Sequence, residues 1–146
     1  MEKKYKLTEE TIEWCGYTLH RIEALKDFAD VKAGDKGGWV EKEDNLAHIG
    51  DAWVCGDAEV YGNAEVYGNA KVCGDADYIV FKNWWSSGRY FTWTRSNNKW
   101  KVGCFNGTGE ELIQKAYADS EKSGMEYERI VKYVESILAD EDKKEE

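Results

Sequence analysis

The chain has no proline in its 146 residues, only two histidines, and four cysteines. Without proline its turns fall to Gly, Asn and Asp, which accept positive φ or bond to their own backbone. No Cys/His metal-cluster spacing is found, and neither HExxH nor a Ser-His-Asp spacing occurs. Cys15, Cys55, Cys73 and Cys104 match no CxxC pattern, and without a secretory context they read as reduced thiols. No apolar stretch approaches the roughly 18 to 20 residues of a membrane span, and no apolar core follows MEKKYKLTEE. A cytoplasmic protein is therefore expected. The glycine-rich pieces GDKGG and FNGTGEE spell neither a P-loop nor a dinucleotide fingerprint, so no cofactor is implied.

Positive charge is also scarce: 20 Lys and Arg face 29 Asp and Glu, for a net charge of −9. That balance argues against direct nucleic-acid binding and against anionic membranes, and favours a protein or small-molecule partner. The closing ADEDKKEE adds to the acidity and reads as a frayed tail.

What the sequence does have is a six-residue phrase, Ala-x-Val-x-Gly-(Asp/Asn). It runs through Ala52–Asp57, Ala58–Asn63, Ala64–Asn69 and Ala70–Asp75, with worn copies at Leu46–Asp51 and Ala76–Phe81. A period this short suits strands that point Ala and Val inward and turn at each Gly-Asp or Gly-Asn. The repeat resembles the hexapeptide-repeat, left-handed parallel β-helix family, in which three hexads make one coil, and the resemblance implies stacking at 18 residues: Val54 beside Val72, Trp53 beside Lys71, Cys55 beside Cys73, Asp57 beside Asp75, and Glu59 beside Asp77. The two thiols are read as side-by-side fillers of one small slot. The Asp/Asn row is read as corner residues in the left-handed conformation.

Upstream, TIEWCGYTLHRIEAL reads as a hairpin turning at Cys15-Gly16, and GGWVEKED as a worn copy of the repeat with Val40 in the Val slot. Downstream, NWWSSGRYFTWTRSNNKWKVGCFNG reads as a hairpin turning at Asn97-Asn98, which pairs Arg95 with Trp100 and sets aromatics on one face. Capping boxes predict one helix starting at Thr108, TGEE, and another at Ser123, SGME.

The longer run HRIEALKDFADVKAGDKGGWVEKEDNLAHIGDAWV into VYGNAEVYGNA resembles the phage and prophage members of the hexapeptide-repeat family labelled polymer-forming or transferase-like. The fold expected is mostly β, α+β in class: an N-terminal β cap over 1–37, a short left-handed parallel β-helix over 38–81, a β-hairpin with two helices over 82–140, and a disordered tail over 141–146. Many relatives of that family are acyltransferases using acetyl-CoA and a catalytic histidine. His20 and His48 stand at positions that suit neither role, so the expectation is a chain that is not an enzyme.

The resemblance implies a phage-encoded binding protein that inhibits a host protein, such as a defence nuclease, and that forms a homo-oligomer through open, repetitive faces. Candidate contact residues are Trp84, Trp85 and Arg89, an aromatic and basic loop of the kind that makes binding hot spots. Tyr61 and Tyr67 at the corners, and the acidic rows Asp57, Glu59, Asp75 and Asp77, complete the set. Three other readings stand beside it: a sponge for a nucleotide-like molecule held by Arg89, Arg95 and Lys101, a degenerate acyltransferase, and a structural assembly part.

Overall fold

A computed structural model describes residues 2–145, with side chains through 143. Strands β1 (Tyr5–Trp14) and β2 (Tyr17–Ala24) form the expected hairpin, and Cys15 and Gly16 at its tip take φ of 51° and 86°. Two consecutive positive φ angles give the turn the twist of the flanking strands. β3 (Lys36–Val40) adds antiparallel to β2 and is joined on its other side, in parallel, by the two-residue β5 (Glu59–Val60). Gly37 and Gly38 permit that approach. A Cβ on Gly38 would lie 2.6 Å from the Ala58 carbonyl oxygen and 2.7 Å from Val54 Cγ1.

The repeat packs its Ala and Val slots inward: Ala52, Val54, Ala58, Val60, Ala64, Val66, Ala70 and Val72 are all buried in one core with Tyr5, Ile22 and Trp53. β4 (Trp53–Val54) and β6 (Lys71–Val72) pair in parallel with Trp53 opposite Lys71 and Val54 opposite Val72, the expected register. The corners turn on glycine: Gly50, Gly56, Gly62 and Gly68 take φ between 60° and 76°, while the Asp and Asn that follow stay out of the left-handed region. The expected conformation sits one residue earlier, where no Cβ opposes it.

Three expectations for this region are corrected. The chain does not form a left-handed parallel β-helix with a mostly-β fold. The described residues form a mixed α+β structure with a four-stranded mixed sheet, a four-stranded antiparallel sheet, a two-stranded parallel pair and two helices. The physical reason lies in the ladders. Among the described residues, parallel pairing is confined to two-residue ladders and a single Leu46–Val66 bridge, whereas the long ladders are antiparallel. Next, Glu59 lies against Trp39, not Asp77, because the last hexad leaves the repeat through a 3-10 turn at Asp75–Asp77 and becomes a strand of another sheet. Finally, Cys55 and Cys73 form a disulfide with Cα atoms 4.7 Å apart, in place of two reduced thiols. In-register stacking of parallel neighbours places their sulfurs within bonding reach.

The second sheet runs β7 (Tyr78–Lys82), β8 (Tyr90–Thr94), β9 (Lys99–Val102) and β10 (Phe105–Gly107), all antiparallel. It sits between the repeat and the helices. Tyr78 and Val80 pack on the repeat core, and Ile79 and Phe81 on the helical one, the period-two alternation of a strand buried on both faces. The face toward the repeat is polar, and its side chains satisfy repeat backbone: Thr92 Oγ1 accepts from Glu65 N–H, and Ser96 Oγ from Lys71 N–H. The β8–β9 register differs from expectation by two residues, with Trp93 opposite Trp100 and Thr94 opposite Lys99. The loop is longer because its asparagines bond back: Trp93 Nε1 donates to Asn98 Oδ1 at 2.8 Å and Thr94 Oγ1 to Asn97 Oδ1 at 2.6 Å. A shift of two keeps every side chain on its expected face.

Helix α1 (Gly109–Asp119) begins with the predicted capping box, Thr108 and Glu111 exchanging side-chain and backbone bonds. Helix α2 (Glu121–Glu145) starts earlier than expected. Ser120 Oγ, not Ser123, accepts at its first turn, and residues 141–145 are helical where a disordered tail was expected. Leu112, Ala116, Tyr127, Val131 and Val134 close a second core over Phe91, Trp93 and Trp100. Among the described residues, no helix is long and apolar enough to cross a membrane.

Candidate functional site

The tip of the first hairpin places Trp14 opposite Tyr17, and Trp14 stays 43% exposed. Tyr17 reaches across to the repeat, where its ring meets that of Tyr61 with centroids 4.9 Å apart. Tyr78, at the start of β7, donates its hydroxyl to the Glu59 carbonyl at 2.9 Å, which fixes the second sheet against the repeat. Tyr90 opens β8. These rings, with Asp75 and the β7 residues Ile79 and Val80, line an open groove of about 660 Å³.

The groove lining carries one carboxylate, Asp75, and Lys82 Nζ stands 5.6 Å from the ring of Tyr90. Burial, followed by the Asp75 and Asp57 carboxylates, pushes Glu59 above the usual carboxylate range. Burial, then Tyr61, Asp75 and Glu59, pushes Tyr78 above the usual phenol range. In both cases burial is the larger cause and neighbouring negative charge the smaller one. No Lys, Arg or His is among the described residues that line the groove. Arg21, the cation nearest this acidic row by its contacts, lies 3.4 Å from Asp57 while its guanidinium stacks over Trp39 at 4.2 Å. Ring faces beside carboxylates attract a cation by quadrupole and by charge together.

Of the residues singled out from sequence, Tyr61 and Asp75 line the groove, and Glu59 and Asp57 supply its field. Tyr67 lies elsewhere, with Lys101 Nζ 4.6 Å over its ring. Asp77 is structural: its carboxylate accepts from Cys73 N–H at 2.8 Å and its carbonyl from Arg95 N–H at 2.9 Å. Trp84 is 67% exposed, and Lys122 Nζ stands 5.1 Å from its ring. Trp85 is half-buried, edge-on to Tyr127 and donating Nε1 to Ser123 Oγ at 3.0 Å. Arg89 faces two separate clefts, one lined by Lys115 and Tyr127, the other by Lys42, Asp44 and Glu65.

Of the three cations of a nucleotide site, Arg89 and Lys101 both approach Gly103, whereas Arg95 is held elsewhere. Arg95 Nε donates to the Ala76 carbonyl at 2.9 Å and its guanidinium pairs with Glu141, while Lys101 donates to the Gly103 carbonyl. Sequence reasoning missed Trp14, Tyr17, Tyr78 and Tyr90. Two aromatics flanking the Cys15-Gly16 turn were a readable sign of an aromatic tip; the convergence of Tyr78 and Tyr90 on it was not.

The histidines take different roles. His48 stacks on Tyr5 with centroids 4.2 Å apart, accepts the Lys4 N–H at Nδ1, and donates Nε2 to Glu43 at 3.0 Å. Both of its nitrogens are occupied. His20 donates Nδ1 to the Thr8 carbonyl at 3.0 Å, which leaves the Nε2 lone pair as its acceptor.

No family model matches the chain. It is similar to a protein of Escherichia coli (strain K12) named as an uncharacterized acetyltransferase, YdcK, at 37% identity over 60 residues, covering 36% of this chain. The chain spans 18% of that protein's length. The finding supports a transferase-like relationship, and it overturns the expectation that the chain is not an enzyme, which rested on two unsuited histidines and on the missing catalytic motifs.

Proposed function

We propose that the chain acts by holding a basic segment of a partner protein in the groove between the first hairpin, the repeat and β7. The observation that carries this reading is the coincidence of an aromatic wall, Tyr17 against Tyr61, with the carboxylates Asp75 and Asp57, whose repulsion adds to burial, the larger cause, in pushing Glu59 upward. A lysine or arginine entering there lies over ring faces and relieves that repulsion. The narrower form, drawn from the resemblance of the repeat, is a phage-encoded inhibitor of a host protein. The chain's net charge of −9 favours a partner surface that is basic, as the nucleic-acid-binding face of a defence nuclease is. The test is titration with lysine-containing and glutamate-containing peptides of the same length, with and without Asp75→Asn. Preference for the lysine peptide that the substitution reduces supports the reading, and equal binding of the two overturns it.

The similarity to a protein named as an acetyltransferase supports a second reading, acyl transfer. His20, with Nδ1 held by the Thr8 carbonyl and Nε2 free to take a proton, is the residue arranged for a general base. A melting temperature that rises with acetyl-coenzyme A supports this reading. An unchanged one at millimolar coenzyme removes it.

A further inference from the structure

Among the described residues, no strand pairs with the backbone of β7 on its outward side. β7 is the terminal strand of its sheet. Arg95 N–H donates to the Asp77 carbonyl and Asn83 N–H to the Arg89 carbonyl, and the continuous register from Tyr78–Thr94 to Lys82–Tyr90 lies between those two bonds. In an antiparallel pair only alternate residues bond to a given neighbour. The odd-numbered residues of β7 therefore face β8, and the N–H and C=O groups of Tyr78, Val80 and Lys82 point outward. Tyr78 and Val80 line the groove.

The other long edge, β1, is protected in ways β7 is not. Its register breaks between Leu7 and Thr11, and it carries Lys6, Glu9, Glu10 and Glu13. Bulges and charges are how edge strands are kept from pairing. β7 reads Tyr-Ile-Val-Phe before its first charge, with an unbroken ladder to β8.

We infer that the groove takes its partner as an added β-strand on the outward edge of β7, an extended segment with Lys or Arg at alternate positions. This rests on the groove reading above and specifies its mode. Main-chain bonds to Tyr78, Val80 and Lys82 supply the pairing, and pockets beside the edge select the side chains. Alternation follows from strand geometry: every second side chain turns to the same face, toward Tyr61, Tyr17 and the Asp75 carboxylate. A second copy of this chain fits less well, because it would bring another Asp75 and Glu59 to the same acidic rim.

The test uses the full chain and a blocked peptide of alternating lysine and valine. Amide exchange at Tyr78, Val80 and Lys82 is expected to slow about tenfold or more when the peptide binds. Val80→Pro removes one outward N–H and leaves the bonds to β8 in place, a position where an edge strand tolerates proline. It is expected to weaken the peptide about tenfold while circular dichroism stays unchanged. Peptide binding with these three amides unprotected overturns strand addition and leaves the groove reading standing, a result that the wild-type chain gives even where the proline variant does not fold. No binding at millimolar peptide overturns both. Protection of the same amides that appears without peptide and grows with protein concentration assigns the edge to a second copy and overturns the proposal.

Discussion

Tyr17 and Tyr61 stand with ring centroids 4.9 Å apart and planes tilted by 39°, one on the hairpin and one on the repeat. The pair fixes where the hairpin tip sits and forms the wall on which a bound cation would rest. Tyr61→Ala is expected to weaken a lysine-containing peptide by about tenfold, the loss of one central aromatic contact, and Tyr61→Phe to retain most of the affinity. Tyr67→Ala, on a different face, is the control and is expected to leave affinity unchanged. Fluorescence anisotropy of a labelled peptide reads all three.

The upward shift of Glu59 sets a pH dependence. Cation binding favours the ionised carboxylate, so affinity is full above the raised pKa and falls as pH is lowered through it. Complex formation releases protons in that window, seen as a buffer-dependent calorimetric enthalpy. Glu59→Gln is expected to abolish that proton release.

The Cys55–Cys73 disulfide closes a loop of 18 residues between the parallel strands β4 and β6. Reduction, or the double substitution to alanine, is expected to cost about 2 to 4 kcal/mol and to lower the melting temperature by several degrees or more. Cys15 and Cys104 are exposed and free, so their substitution should leave the melting temperature in place. Differential scanning calorimetry with and without reductant checks both.

Lys4 is fully buried, and its ammonium donates to the Ala52 carbonyl at 2.5 Å and lies 4.8 Å from the Phe28 ring. Burial lowers its pKa from 10.5 to about 8, against the pull of Asp51. Between those values the unfolded chain holds a proton that the folded chain has released, so stability rises with pH from about 8. Near pH 10 the rise ends, because Tyr5 and Tyr78, both pushed above the usual phenol range chiefly by burial, ionise first in the unfolded chain. Urea unfolding across this range measures the slope, and Lys4→Met is expected to flatten its lower part.

What the sequence made legible is local. The Ala and Val slots of the repeat are buried as their spacing implied, the Cys15-Gly16 turn and the Thr108 capping box are in place, and Trp93 and Trp100 are core. The misreadings share one cause. A perfect six-residue phrase suggests ladders that propagate, but corners consume most of each phrase, and only two-residue parallel segments survive. The neighbouring hairpins then dominate the sheets. Asn97 and Asn98 lengthened a turn through side-chain bonds that a two-residue count ignores. The groove was half legible: Tyr61, Glu59 and Asp75 came from the repeat, whereas Tyr78 joins them only because the chain leaves the repeat at Asp75–Asp77. Trp84 is exposed and Trp85 packs on the helical core.

The central claim, an acidic aromatic groove that holds a basic extended segment, is tested most directly by isothermal titration of the Lys-Val peptide and its Glu-Val counterpart into the wild-type chain and into Glu59→Gln/Asp75→Asn, at low and high salt. The account predicts that the lysine peptide binds, that binding weakens with salt, and that the double substitution reduces it about tenfold, while the glutamate peptide does not bind. Equal affinity for the two peptides, or affinity for the lysine peptide that the double substitution leaves untouched, would contradict it.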